Sequence, residues 1–303
     1  NNEDATLIAT ILKSKPTAKA KRKNKVNTVV VNKSILVGSG VGATTLNDGL
    51  SYGNFPYGTR VQDEEIALNC GDIIQIHGVF ESTDTSEPSA PKLTLASITG
   101  PSGKTSDLSV GELITGQTSG AIAMYAEKVS DTQISYITKN NIDFVTGEKL
   151  TFKDSKLEAI ASVLTLGSPN VSSNFTFNSG QKGTYYNYGS ILRKANARKP
   201  LKSLKVYFAN GYYEASDKGD ITTKNSYDGM HYVDDVMSVN GIRNTDMIDI
   251  RPKVSNYTVA EGARSPLEFY GRSFNAEGNS AANILGSDEV ILTDLDYYVG
   301  RVD

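Results

Sequence analysis

The sequence predicts a mainly β chain: several small antiparallel β-sandwich or barrel modules in tandem, with little helix. Three observations carry this expectation. Runs rich in Val, Ile, Thr and Tyr recur between clusters of Gly, Asn, Asp, Ser and Pro, as short strands joined by turns require. No segment keeps a 3.6-residue apolar period over three turns. One strand–turn–strand block returns 36 residues further along the chain. With 303 residues, 38% of them hydrophobic, the chain can bury two or three cores without covalent staples.

Taken in order, residues 6–13 and 26–37 read as strands, and the basic run Lys19-Ala-Lys21-Arg22-Lys23-Asn-Lys25 between them reads as a solvated loop or tail. A long Gly/Ser/Asn-rich surface loop over 38–59 follows. Residues 65–68 and 73–80, flanking Gly71-Asp72, read as a second strand pair. These elements make an N-terminal β module of residues 1–92.

The module of residues 93–168 contains the repeat. Gly111-Glu112-Leu-Ile-Thr115 returns as Gly147-Glu148-Lys-Leu-Thr151, and Ala121-Ile-Ala-Met-Tyr125 is answered, two residues out of register, by Ala159-Ile-Ala-Ser-Val163. Two hairpins with a strand at 133–137 between them predict a small barrel or sandwich. Two copies are too few for a solenoid.

Residues 169–303 form a Tyr-rich β module. The alternating run 201–208, the pair Asn210-Gly211 and residues 212–214 read as a hairpin. Tyr185, Tyr186, Tyr188, Tyr212 and Tyr213 are the candidate interface anchors, because each ring buries an apolar face and keeps a polar tip. Further strands are expected around 246–254, 288–292 and 295–299.

The net charge of −3 and pI near 5.6 argue against a general nucleic-acid binder. The single cysteine, Cys70, excludes an internal disulfide framework, and no Cys/His cluster has metal-ligand spacing. No run of about 18 apolar residues exists to cross a membrane as a helix. Three stretches imitate nucleotide loops: 35–43, 100–105 and 111–118. The first lacks a following helix, the second has Ile98 where a first glycine belongs, and the third has Gln117 in place of the lysine, so all read as turns. His77 reads as a structural histidine in a strand. His231, flanked by Asp228, Asp234 and Asp235, has the residue types of a cation site but equally those of a polar turn. Asp63-Glu64-Glu65, and Asp217 with Asp220, read as solvated turns. The Asn-X-Ser/Thr sequons at Asn32, Asn170, Asn174 and Asn256 matter only on a secretory route. The opening Asn1-Asn2-Glu3 and the abrupt end suggest a piece of a longer polypeptide. No catalytic, metal or cofactor-binding residues are assigned, and no enzyme activity is expected.

Six peptides stand in collinear order: FPYGTRVQDEEIALNCGDIIQIHGVFEST from Phe55, VGELITGQTSGAIA from Val110, NSGQKGTYYNYGSI from Asn178, DIRPKVSNYTV from Asp249, RSPLEFYGRSFN from Arg264, and the terminal LDYYVGRVD. Together they resemble the large virion structural proteins, of tail, baseplate or fibre type, of T4-like bacteriophages that infect marine cyanobacteria. The first 54 residues lie outside the resemblance, and Gln181 is followed by Lys182-Gly183-Thr184 where the family has an Arg-Asp-type turn. The resemblance implies a virion location and a structural role in subunit assembly, with other virion structural proteins and further copies of this chain, as a trimer or ring, for partners. No membrane or specific nucleic acid is expected among the partners. The rival readings are a receptor-binding or adhesin module contacting host glycan or protein, which glycan binding by the isolated chain would favour, and a virion hydrolase using Asp/Glu pairs, for which no motif stands in the sequence.

Overall fold

The computed structural model describes residues 21–71, 73–179, 181–182, 185–186, 188–213, 238–239 and 242–243. Over these residues the protein is mainly β. Strands β1 (Lys21–Val31), β2 (Lys33–Ser34), β3 (Ser51–Tyr52), β4 (Glu65–Ala67) and β5 (Ile73–Glu81) come first. Then follow β6 (Lys92–Ala96), β7 (Leu113–Gly116), β8 (Ile122–Lys128), β9 (Gln133–Thr138), β10 (Lys149–Phe152) and β11 (Glu158–Thr165). The described chain continues through β12 (Phe175–Asn178), β13 (Gln181–Lys182), β14 (Tyr185–Tyr186), β15 (Ser190–Arg193) and β16 (Leu204–Tyr213), with a two-residue pair β17 (Ser238–Val239) and β18 (Ile242–Arg243) beyond. The expected strands at 6–13, 246–254, 288–292 and 295–299 lie outside the described residues, as do His231 with its aspartates, Asp217, Asp220 and Asn256.

Strands β6 to β11 close a barrel in the order β10-β11-β6-β9-β8-β7. Alternating apolar residues fill it, among them Leu93, Ile114, Tyr125, Ile134, Leu150 and Phe152, and Tyr136 meets Phe144 edge-on at 5.3 Å. The repeat is a pseudo-two-fold whose axis passes between Thr115 and Thr151, paired across β7 and β10. Its register is constant at 36 residues. Gly111 N–H donates to Tyr125 O and Gly147 N–H to Ala161 O; Gly116 N–H donates to Ala121 O and Phe152 N–H to Leu157 O. The expected two-residue slip is therefore absent, and Leu157, not Ala159, stands where Ala121 does. Even the bulges correspond: the register shifts between Tyr125 and Glu127 in β8, and between Ala161 and Val163 in β11. The third strand of the first half is β9; β6, from the N-terminal side, supplies its counterpart in the second.

Strands from either side of the barrel sequence share the remaining sheets. β16 lies between β1 and β5, and β15 between β12 and β4. One apolar core takes Val31, Val61, Ile66, Ile73 and Val79 from before the barrel, and Phe175, Ile191, Val206 and Phe208 from after it. The two flanking stretches, expected as separate modules, thus interleave over the described residues. Three local expectations are corrected by this arrangement. Asn210-Gly211 makes no hairpin: β16 runs straight through it, with Asn210 buried opposite Asn24 on one side and Ile73 on the other, so pairing on both edges overrides the local turn preference. β4 and β5 do not pair with each other but with β15 and β16. The strand expected over 26–37 begins at Lys21, so Lys21 to Lys25 are strand residues, and it ends at Val31.

The barrel leaves and rejoins this body at one point. Glu81 N–H donates to Pro169 O and Ser168 N–H to Ser89 O. Beside that neck Met124, Ala126 and Ile137 of the barrel pack on Phe80 and Tyr207 of the sheet. The Phe80 and Tyr207 rings meet edge-on, 5.6 Å apart.

Two bulges face each other across β16. β1 shifts register between Asn24 and Asn27, and β5 does so at His77, between the pairs Gly78↔Tyr207 and Ile76↔Phe208. His77 joins them: its Nε2 lies 2.9 Å from the Lys25 carbonyl, and its Nδ1 3.1 Å from Gln75 Nε2 and 3.4 Å from Lys139 Nζ. Neutral imidazole satisfies all three, donating at Nε2 and accepting at Nδ1. Burial, with the nearby Lys139 and Lys23 ammoniums, pulls its pKa down to about 4. The folded state stays neutral while an unfolded histidine takes a proton near its ordinary 6.5. Stability is then fully present above pH 6.5 and falls as the pH drops from 6.5 to about 4, by about 3 kcal/mol. Urea midpoints of the wild type across that range, against a flatter profile for His77→Gln, measure it.

Gly111 and Gly147 occupy equivalent positions with φ of +86° and +89°. A Cβ on Gly111 would lie 2.4 Å from Lys25 Cβ, where β1 crosses the barrel, whereas one on Gly147 meets nothing within 4 Å. Both Ala variants carry the left-handed strain of about 1 kcal/mol. Gly111→Ala is expected to lose about 1–2 kcal/mol more, read as the difference between the two denaturation midpoints.

Candidate functional site

The three nucleotide-like loops each hold a carboxylate of the chain itself. In the loop after β2, Gly40 N–H and Leu50 N–H donate to Asp48 Oδ1 at 2.8 and 3.1 Å. Burial opposes ionisation of Asp48, but bonds from Ser39, Leu50 and Gly40 outweigh it and hold the carboxyl below its usual pKa. In the loop 100–105, Asp107 accepts from Ser102 N–H at 2.9 Å and from the Ser102 hydroxyl at 2.7 Å, and these bonds lower its pKa. The Gly100 backbone lies so close to Asp107 that a side chain there would collide with the carboxylate. Lys104, the residue imitating a phosphate-loop lysine, is paired with Asp131 at 2.8 Å. In the third loop, Thr118 and Ser119 N–H donate to Glu148 Oε2 at 3.1 and 3.0 Å. The backbone donors at Ser39 and Gly40 in the first loop, Ser102 to Thr105 in the second and Gly116 to Ser119 in the third are thus occupied by the chain itself.

The third loop is half of a reciprocal pair. Glu148 also accepts from Val145 N–H at 2.6 Å and from the Ser119 hydroxyl. Its two-fold mate Glu112 accepts from Ser109 N–H at 2.7 Å, Asp154 and Ser155 N–H at 3.0 and 2.9 Å, and the Ser155 hydroxyl. Each repeat thus sends a buried glutamate into the turn of the other. For Glu148, burial raises the pKa and the Ser119, Val145 and Thr118 bonds more than reverse it, leaving the carboxyl below its ordinary value.

Other acidic residues are likewise engaged. Asp63, expected on a solvated turn, is buried: Gly58 N–H donates to it at 2.7 Å and the Arg60 guanidinium at 2.9 Å. The preceding arginine at a three-residue interval was the available signal. Glu81 is buried beneath Arg198, which reaches it with both terminal nitrogens at 2.6 and 3.2 Å. At the junction between barrel and sheet, Lys205 Nζ lies 2.9 Å from Glu87 and 3.0 Å from Glu127, and the Tyr207 hydroxyl donates to Glu127 at 2.8 Å. Burial disfavours the Lys205 ammonium, but the bonds to Glu87 and Glu127 prevail and raise its pKa; burial and the Glu127 charge raise that of Tyr207.

The candidate interface tyrosines fall in two places. Tyr212 and Tyr213 end β16, opposite Arg22 and Lys21 of β1, with Tyr212 40% exposed. Tyr185 and Tyr186 form β14 against β13, and Tyr188 is half-buried before β15. Among the described residues no group of three or more His, Cys, Asp or Glu side chains is placed to hold a metal, and no helix is long and apolar enough to cross a membrane. The chain matches no protein-family model, no curated protein and no solved structure.

Proposed function

We propose that this chain is a structural component of a bacteriophage virion, of tail, baseplate or fibre type, that works by subunit–subunit assembly and catalyses no reaction. The observation that carries the reading is the collinear set of peptides between Phe55 and Asp303 that resembles such proteins. What the chain does with its polar groups supports it: the buried carboxylates of Asp48, Asp63, Glu81, Glu112 and Glu148 are bound to turns and to arginines, as in a rigid scaffold. The partners are other virion structural proteins and further copies of this chain around a trimeric or ring axis. Tyr212 and Tyr213 at the end of β16, and Tyr185, Tyr186 and Tyr188 ahead of β15, supply the aromatic anchors.

Electron cryo-microscopy of intact particles, together with peptide mass spectrometry of their proteins, tests this. The expected result is the chain in stoichiometric amounts, with density repeated about the tail axis. Particles that lack it, or a lone cytosolic protein turning over a small substrate, would overturn the reading.

A further inference from the structure

The loop joining β2 to β3 is apolar on its outside and satisfied on its inside. Residues 34–47 contain no charged side chain. Ile35, Leu36 and Val37 are consecutive and all exposed, Val37 by 78%; Val41 is 71% exposed, and Leu46 on the returning arm 56%. Three neighbouring side chains cannot share one face, so with Val41 and Leu46 they make the loop apolar around its circumference. Its ends are held together by the parallel pairs Lys33↔Ser51 and Ser34↔Tyr52. Inside, Ile35 N–H donates to Gln62 Oε1, Leu36 N–H to Ser34 Oγ, Gly40 N–H to Asp48, and Leu46 N–H to Gly38 O at 2.8 Å. The Thr45 hydroxyl is bound to Gly42 O.

We infer that this loop inserts into the interfacial zone of a lipid bilayer. A protein groove selects one apolar face framed by matched polar groups, whereas an isotropic hydrocarbon medium accepts a protrusion that is apolar all round. It also favours what the protruding arm provides: no charged side chain over residues 34–47, the loop's one carboxylate, Asp48, buried at its base under the Gly40 and Leu50 amides, and internal bonds for the Ile35, Leu36, Ser39, Gly40, Thr45 and Leu46 N–H groups. Tyr52, half-exposed at the base on β3, sits where an amphipathic ring belongs at the headgroup level. The driving force is apolar, so binding depends little on lipid charge or salt. The inference does not rest on the virion reading, and goes beyond the absence of a transmembrane helix, since the loop enters one leaflet and does not cross.

The full chain is floated with vesicles of phosphatidylcholine alone, and of phosphatidylcholine with phosphatidylglycerol, at low and high salt. The wild type is expected to float with both at either salt. The double variant Val37→Asp/Val41→Asp, altered only at exposed positions, is expected to bind roughly tenfold or more weakly, a change of about 1.4 kcal/mol, with an unchanged thermal midpoint. A wild type that stays with the soluble fraction, or a double variant that floats as well as it, overturns the inference. So does a loop that holds copies together, seen as a wild-type oligomer dissociated by the double variant with no vesicle binding.

Discussion

Replacing Glu148 by alanine is expected to destabilise the barrel by about 3–4 kcal/mol, read from urea unfolding of the full chain. The side chain is 4% exposed, so water does not replace it freely. Its loss strands the N–H groups of Thr118, Ser119 and Val145 together with the Ser119 hydroxyl. Glu148→Gln keeps the volume but turns an amide NH2 toward donors, and is expected to lose about half as much. The depressed pKa adds a second signature. Ionised Glu148 contributes stability above its unfolded value near 4.5, and this is lost as the pH falls below it. That window opens only at the acid edge of the one in which His77 acts, so Glu148→Gln flattens the acid end of the profile. By the two-fold, Glu112→Ala is expected to cost a similar amount, since its turn loses the same set of bonds.

Tyr207→Ala is expected to remove about 4 kcal/mol and to change the form of the transition. Tyr207 is fully buried in the central strand, packs edge-on against Phe80 and donates its hydroxyl to Glu127 of the barrel. Its ring lies among Met124, Ala126 and Ile137, where barrel and sheet meet. Alanine leaves a cavity at that seam and leaves Glu127 with Lys205 as its remaining partner. The barrel has its own closed core, so it is expected to unfold separately from the sheets in the variant, giving two transitions where one is expected for the wild type. Calorimetry distinguishes the outcomes: a single transition merely shifted to lower temperature would mean that the seam contributes stability without coupling.

Much of the local structure was legible because strand composition and the recurrence of Gly-Glu-x-apolar-Thr are properties of short segments. β7, β8, β10 and β11 fall where the repeat puts hairpins. What escaped was partnership over distance. The turn preference of Asn210-Gly211 is local, and yields when β1 and β5 hydrogen-bond to both edges of the same strand. β4 and β5 are neighbours in sequence, but Ile66 and Val79 reach their shared core only by pairing with strands more than a hundred residues away. The recurrence of glutamate at 112 and 148 was visible, whereas its purpose was not, because each turn receives the carboxylate of the other copy. Asp63 read as solvated beside Glu64 and Glu65; only Arg60 and the Gly58 amide, brought round by the loop, make its burial tolerable. The paired surroundings of Tyr212 and Tyr213 were equally unreadable, since the basic run that faces them was expected to be a solvated loop or tail.

The position of β16 between β1 and β5 has a consequence for synthesis. As the polypeptide emerges from the ribosome, β1 and β5 appear early but share no strand pairing, only the contact of His77 with the Lys25 carbonyl; the strand that lies between them is translated only after the whole barrel. The barrel, complete once β11 is out, is expected to form first and to hold the exit at Pro169 beside Glu81. The loop closed when β16 finally docks is thereby shortened by the length of the folded insert, which lowers the entropic cost of the last step. Stalled nascent chains long enough to bring β11 out of the exit tunnel but not β16 are expected to protect the barrel from protease while residues 21–81 remain cleavable.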